Sequence, residues 1–204
     1  MKSLADCKLY AFVDTAYLHG REPAAVARQL CDGGADIIQL RAKTSTAEEV
    51  RAMAEAILPV TRSAGVPLVV NDHLCVAREV GAEFCHLGQE DVAGVKMEDG
   101  RWKIGLSSHA PEQAMAAVKW GAGYIGVGPV FATGTKPSAK PVTLEYVRWA
   151  AEHVTIPWFA IGGVNLQTLD DVLAAGARRV CVVSAILNAP DVAKACAEFG
   201  RRLR

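Results

Sequence analysis

Eight short apolar runs, rich in valine and isoleucine, recur at fairly even spacing along the 204 residues, and this rhythm constrains the fold more than any other feature. They are LYAFVD (9–14), IIQLR (37–41), PLVVND (67–72), FCHLG (84–88), KIGLS (103–107), YIGVGPVF (124–131), PWFAIGG (157–163) and RVCVVSAI (179–186). Most are continuous rather than alternating, the pattern of strands buried on both faces in a parallel sheet. Alanine-rich stretches with helical spacing separate most of them, including PAAVARQLCDGGA, TAEEVRAMAEAILPVTRSAG, PEQAMAAVKWGAG and LQTLDDVLAAGA. Four glycine–alanine pairs (34–35, 81–82, 121–122 and 176–177) precede a strand, where glycine supplies the left-handed cap that returns the chain to the sheet. The pattern predicts an α/β fold, a closed (β/α)8 TIM barrel, with an open eight-stranded sheet as the alternative. The connection VAGVKMEDGR (92–101) is short and irregular, which predicts one reduced helix there. With no linker, solenoid repeat or low-complexity segment, residues 1–204 are expected to form a single domain.

Charge and composition exclude some functions. Lys+Arg and Asp+Glu each total 22, a net charge of zero that argues against nucleic acid as a partner. No apolar run approaches the length needed to span a bilayer, and MKSLADCKLYAFVD has too short an apolar stretch for a signal-peptide core. A cytoplasmic protein without a membrane partner is the expectation. Six cysteines occur without a C-x-x-C pair and are expected to be reduced thiols packed as small hydrophobes. Trp102, Trp120, Trp149 and Trp158 are expected in the core, and a self-association surface that would make a homo-oligomer is the alternative.

In a barrel of this type the chemistry lies on the loops at the C-terminal strand ends. Strand 2 ends in Gln39-Leu40-Arg41-Ala42-Lys43, strand 3 in Asn71-Asp72, and strand 4 in Gln89-Glu90-Asp91. Strand 5 ends in Ser107-Ser108-His109, strand 6 runs into Thr133-Gly134-Thr135-Lys136, strand 7 ends in Gly162-Gly163, and strand 8 in Ser184. The stretch GPVFATGTKP superficially suggests a nucleotide P-loop, but no glycine stands five positions before Gly134. Each group also has a plain structural use. Arg41 and Lys43 serve equally as solvated charges, Asp72 as a helix N-cap, Asp91 as an exposed acid, His109 as a hydrogen-bonded structural histidine, and Gly162-Gly163 as a tight turn. Collected on one rim, they suit phosphate chemistry instead. Aspartates are hard oxygen ligands for Mg²⁺, Arg41 can hold a phosphate bidentately, and Lys43 and Lys136 add point charges. The glycines and the amides near Ser184 suit the monophosphate site that barrels commonly build after strands 7 and 8. Two phosphorylated ligands facing each other imply a transferase.

Taken in order, QLRAK, VNDH, HLGQED, GLSSH, GPVFATGTK, AIGGV and VVSAI resemble the thiamine-phosphate synthase family over nearly the whole chain. The resemblance implies a Mg²⁺-dependent condensation of hydroxymethylpyrimidine pyrophosphate with hydroxyethylthiazole phosphate, giving thiamine phosphate and pyrophosphate. It implies that pyrophosphate leaves first and that the thiazole nitrogen attacks a pyrimidine-methyl cation. Position by position, it implies that Arg41, Lys43, Asn71 and Lys136 bind pyrophosphate and that Asp72 and Asp91 hold Mg²⁺. Gln39 and Ser107, or the adjacent Ser108, contact the pyrimidine. Thr133, Thr135, Gly163, Val183 and Ser184 surround the thiazole phosphate. Arg41, Lys43, Ser107 and Lys136 are the expected catalytic set, which stabilises charge on the leaving group and aligns the partners. Gly134 departs from the bulkier or acidic residue common in the family, and Lys140 is a further cation without an assigned role. Three rivals remain: a thiazole tautomerase relative with His109 as proton carrier, a non-catalytic precursor-binding barrel, and an unrelated phosphate-binding isomerase.

Overall fold

The computed structural model describes residues 2–92, 95, 103–134 and 140–204. Its strands are β1 (Leu9–Asp14), β2 (Ile37–Arg41), β3 (Leu68–Asn71), β4 (Phe84–Leu87), β5 (Lys103–Ser108), β6 (Tyr124–Val127), β7 (Trp158–Ala160) and β8 (Val180–Val182). The helices are α1 (Pro23–Asp32), α2 (Ala47–Ser63), α3 (Leu74–Val80), α4 (Pro111–Trp120), α5 (Thr143–His153), α6 (Leu169–Ala174), α7 (Ser184–Leu187) and α8 (Val192–Leu203). The strands follow one another in a closed barrel, β1 through β8 in sequence order, which decides against the open sheet. All eight apolar runs contain a strand, but several strands are shorter than the runs suggest, β6, β7 and β8 most of all. β6 ends at Val127, before a cis Gly128–Pro129 bond, and RVCVVSAI divides into β8 and the short α7. The expected reduced helix near 92–101 lies largely outside the described residues. Among the described residues no helix is long and apolar enough to cross a membrane.

The chain forms two compact units, Met1–His86 with Val183–Arg204, and Leu87–Val182. In the first, β1, β2, β3 and β4 pair in parallel, with Phe12 opposite Gln39, Asp14 opposite Arg41, Gln39 opposite Val69, and Asn71 opposite His86. Local chemistry starts the helices. Pro23 opens α1, and Thr46 caps α2 in a capping box: its hydroxyl accepts from Glu49 N at 3.3 Å while the Glu49 carboxylate accepts from Thr46 N at 2.8 Å. Helix α3 stops at Gly81 in the left-handed region, with Ala82 N donating back to Ala77 O at 2.9 Å, a Schellman closure. The other three glycine–alanine pairs make the same backward bond: Ala35 to Leu30, Ala122 to Ala117, and Ala177 to Val172.

In the second unit β5 pairs with β6, β6 with β7, and β7 with β8, again in parallel. Gly105 lies opposite Tyr124 in register, and a Cβ added there would meet the Tyr124 ring at 2.0 Å. The tyrosine therefore fills the volume that a side chain on β5 would need, and its ring meets Phe159 edge-on with centroids 5.8 Å apart. Trp158 is buried as expected, whereas Trp149 is only half-buried and Trp102 lies outside the described residues. All six cysteines are free thiols. Cys7, Cys85, Cys181 and Cys196 are buried and Cys31 is partly so, but Cys75 is exposed on α3, contrary to the expectation that all would be packed.

One buried charge ties down the N-terminal end of β1. Asp36 is 6 % exposed, its carboxylate accepts from the backbone amides of Lys8 at 2.9 Å and Leu9 at 3.0 Å, and Lys2 pairs with it from outside. Burial alone would raise its pKa. The Lys2 ammonium and the two amides outweigh that and hold it below the ordinary value of 3.8. A depressed carboxyl pKa stabilises the fold above the ordinary value, and that contribution disappears as pH falls through the native-state value. Asp36→Asn is expected to lower the urea-unfolding free energy at neutral pH by about 1–3 kcal/mol and to flatten the decline of stability below about pH 4. An unfolding series against pH that is unchanged in the variant would contradict this account.

Candidate active site

Residues directly opposite in a parallel pair share a face of the sheet, and the face alternates with a period of two. In the first unit this puts Tyr10, Phe12, Asp14, Gln39, Arg41, Val69, Asn71, Phe84 and His86 on one face. The other face carries Ala11, Val13, Ile38, Leu40, Val70 and Cys85 and is wholly apolar, as a face packed on helices must be. The polar groups thus belong to the barrel interior, and they gather at the C-terminal ends of the strands. Gln39, two residues back from the end of β2, is 2 % exposed, with Nε2 donating to the Tyr10 hydroxyl at 2.6 Å. Above it the Arg41 guanidinium donates from Nη1 to Asp14 Oδ2 at 2.8 Å.

Lys43 lies beyond the end of β2, and its ammonium meets Asp72 Oδ2 at 2.5 Å. Asp72 adopts φ +65°, the left-handed region that costs most residues energy, and its backbone N donates to His86 O at 2.8 Å. It is not the N-cap of α3; His73 occupies that position and makes no side-chain capping bond. His86, a histidine within an otherwise apolar strand, shares the face and register of Asn71. Burial, and then the Lys43 ammonium, push its pKa down to about 4, so the ring is neutral at physiological pH. Sequence reading singled out neither Asp14 nor His86. The available signal was a polar residue at or near the end of an apolar strand. Val183 and Ser184 lie at the start of α7, Val183 as its N-cap.

In the second unit β5 sends its two adjacent serines to opposite faces. Ser107 is opposite Gly126 and shares the face of Gly105 and Tyr124. Ser108 points the other way and is fully buried, its hydroxyl donating to Gly126 O at 2.9 Å and accepting from the Tyr146 hydroxyl of α5 at 2.8 Å. Ser108 therefore joins strand to helix, and Ser107 is the serine left on the inner face. Gln89 Nε2 donates to Ser107 O at 2.5 Å. Asp91 closes its own turn, accepting from Gly88 N at 3.1 Å, while Glu90 is exposed. His109 is held as a structural histidine would be, with its backbone N donating to Gln113 Oε1 at 2.7 Å and Nδ1 against Gly128 O. His109 lines a cavity of about 700 Å³ together with Pro129, Lys140, Glu145, Tyr146 and Trp149, and none of the residues expected to bind pyrophosphate, pyrimidine, thiazole phosphate or metal lines it.

Gly162 and Gly163 both have positive φ, +96° and +67°, and both press against the segment leaving β6. A Cβ on Gly162 would lie 2.3 Å from Pro129 Cβ, and one on Gly163 would lie 2.7 Å from Phe131 Cβ and 2.9 Å from Ala132 O. The Gly163 carbonyl accepts from Thr168 Oγ1 at 3.1 Å, which fixes the turn into α6. Thr133 is half-buried just beyond this contact; Thr135 and Lys136 lie outside the described residues. Among the described residues no group of three or more His, Cys, Asp and Glu side chains converges as a metal site. Mg²⁺ often takes only one or two protein carboxylates, completing its octahedron with water and substrate phosphate, and the carboxylates of Asp72, partly exposed, and Asp91, exposed, are each hard oxygen donors of the kind it takes.

The sequence profile of the family described as thiamine monophosphate synthase matches residues 9–186. A thiamine-phosphate synthase of Thermus thermophilus is 46 % identical over 176 residues, covering 84 % of this chain and 84 % of its own length. One from Acidothermus cellulolyticus is 44 % identical over 206 residues, covering 98 % and 97 % respectively. Among solved structures, a thiamine phosphate pyrophosphorylase from Pyrococcus furiosus superposes with a TM-score of 0.87 at 33 % identity, over 97 % of this chain and 95 % of that one. A tryptophan synthase chain from Mycobacterium tuberculosis, with a TM-score of 0.71 at 18 % identity, shares the fold alone.

The double-glycine turn generates a direct test. Gly162→Ala combines a left-handed backbone with contact against Pro129, so it is expected to lower the unfolding free energy by more than about 1–2 kcal/mol, the backbone cost alone. Chemical denaturation measures this, and a variant as stable as the parent would mean that the turn has room the geometry denies.

Proposed function

Because the chain belongs to the thiamine monophosphate synthase family, we propose that it condenses 4-amino-2-methyl-5-hydroxymethylpyrimidine pyrophosphate with hydroxyethylthiazole phosphate, releasing thiamine phosphate and pyrophosphate. The observation that carries the reading from family to residues is the strand register that puts Gln39, Arg41 and Asn71 on one inner face, with the Lys43–Asp72 pair just beyond. Arg41, Lys43, Asn71 and Lys136 bind the pyrophosphate. The guanidinium offers a planar fork to phosphate oxygens and the two ammoniums act as point charges. Gln39 and Ser107 orient the pyrimidine, and Thr133, Thr135, Gly163, Val183 and Ser184 receive the thiazole phosphate. Asp72 and Asp91 would hold Mg²⁺, which would supply positive charge to offset that of the leaving pyrophosphate. The chain's own residues do little acid–base work: they align the thiazole nitrogen with the pyrimidine methylene, exclude water, and stabilise the departing anion. The chain acts as one domain in the cytoplasm, a reducing compartment that its six free cysteines suit.

The neutral, hydrogen-bonded setting of Gln39 supports a pyrimidine contact, since its amide can accept and donate at once. The bond between His109 Nδ1 and Gly128 O fixes the ring orientation and is compatible with a structural role as well as with the proton carrier that a tautomerase would need.

The purified chain, mixed with both phosphorylated precursors, is expected to form thiamine phosphate and pyrophosphate when Mg²⁺ is present and not when it is chelated. No product with metal present would overturn the proposal. Asp72→Asn is expected to reduce turnover by about 100-fold or more with unfolding nearly unchanged, and full activity would remove Asp72 from the metal set. The two serines separate cleanly. Ser107→Ala is expected to lower kcat/KM about tenfold while stability holds, whereas Ser108→Ala is expected to cost about 1 kcal/mol of stability while catalysis holds. Identical effects of the two variants would undo that assignment.

A further inference from the structure

Asp14 ends β1 and is 1 % exposed, with a carboxylate whose two oxygens have different tasks. Oδ1 accepts from the backbone N of Ala16 at 3.0 Å, capping the 3-10 turn Thr15–Tyr17, and Oδ2 accepts from Arg41 Nη1 at 2.8 Å. The register places Asp14 opposite Arg41, so both side chains leave the same face of adjacent strands. The capping bond stops the carboxylate from rotating, and the ion pair transmits that restraint to the guanidinium. Arg41 is itself only 17 % exposed, so little solvent competes for the contact.

We infer that Asp14 is a positioning residue for the pyrophosphate-bearing substrate: it fixes the plane of the Arg41 guanidinium so that the fork faces the mouth before substrate arrives. This inference rests on the reading of Arg41 as a phosphate ligand. A long arginine side chain has several rotamers, and selecting one in advance removes an ordering cost that binding would otherwise carry. The charge pairing has a second effect. It offsets part of the positive charge that Arg41 contributes beside Lys43 while the site holds no anion.

The consequence is selective. Asp14→Asn preserves the shape and the acceptor for Ala16 N but weakens the hold on Arg41. It is expected to raise KM for the pyrimidine pyrophosphate about tenfold or more, with KM for the thiazole phosphate changed less than about twofold. Arg41→Ala is expected to raise the same KM, and the double variant Asp14→Asn/Arg41→Ala is expected to be no worse than Arg41→Ala alone. Asp14→Glu keeps the charge but moves it by one methylene, and is expected to recover only part of the loss. Calorimetric binding of inorganic pyrophosphate and thermal unfolding of every variant separate misplacement of Arg41 from loss of the fold. Equal KM shifts for both substrates, or additive losses in the double variant, would overturn the inference. A KM shift in Arg41→Ala without one in Asp14→Asn would overturn it alone. An unchanged KM in Arg41→Ala would overturn it together with the phosphate reading of Arg41.

Discussion

Period-two alternation in parallel register is the constraint from which the rest of the structure follows. Once Phe12 pairs with Gln39 and Gln39 with Val69, the positions two residues further on must share their face, so Asp14, Arg41 and Asn71 are committed to the interior at the strand ends. A slip of one residue in any pair would turn those charges into the apolar layer against the helices. Burial of Ala11, Ile38, Leu40 and Val70 on the opposite face makes such a slip costly, because each would lose its apolar surroundings while a polar group was stranded among them. Precise placement of the polar groups is thus enforced by residues that never meet a substrate.

The electrostatic arrangement is one of charges already matched. Arg41 rests against Asp14 and Lys43 against Asp72, so the cations are held close together without strong mutual repulsion. The lysine pair is half exposed at Lys43 and adds little stability by itself, whereas the arginine pair is buried on its acidic side and is far more sensitive to removal of one partner. His86 completes the set as an uncharged group, kept neutral by burial and by the Lys43 ammonium. The donors on this inner face are thus held in largely set positions.

The barrel was legible in the sequence because its signals repeat. Eight apolar runs and four glycine–alanine stops each report the same local geometry, and the Schellman bonds at Ala35, Ala82, Ala122 and Ala177 account for the second of these signals. The candidate site was legible less evenly. Strand ends announced Arg41, Asn71 and Asp72, but nothing set Asp14 apart, since an aspartate after an apolar run is commonplace. His86 was hidden because a single histidine in FCHL has no partner visible along the chain; its neighbours Asn71 and Lys43 come from other strand ends. Ser107 and Ser108 could not be ranked from composition, and only the opposite directions of adjacent side chains, with Tyr146 waiting on one side, distinguish them. Tight strand exits such as Val127 and Val182 were overrun by the apolar pattern because hydrophobicity continues into turns that bury their side chains too.

The left-handed backbone of Asp72 limits how this position can drift in sequence. At φ +65° glycine, asparagine and aspartate are among the least costly residues, and of these three aspartate alone carries a charge. Random replacement is therefore filtered twice at one site, first by conformation and then by chemistry. Most substitutions there strain the chain before their effect on chemistry matters, and the two mild alternatives both discard the negative charge. Under the proposed metal role of Asp72, an inactive descendant of this protein would be expected to show glycine or asparagine at that position, a replacement compatible with the local backbone.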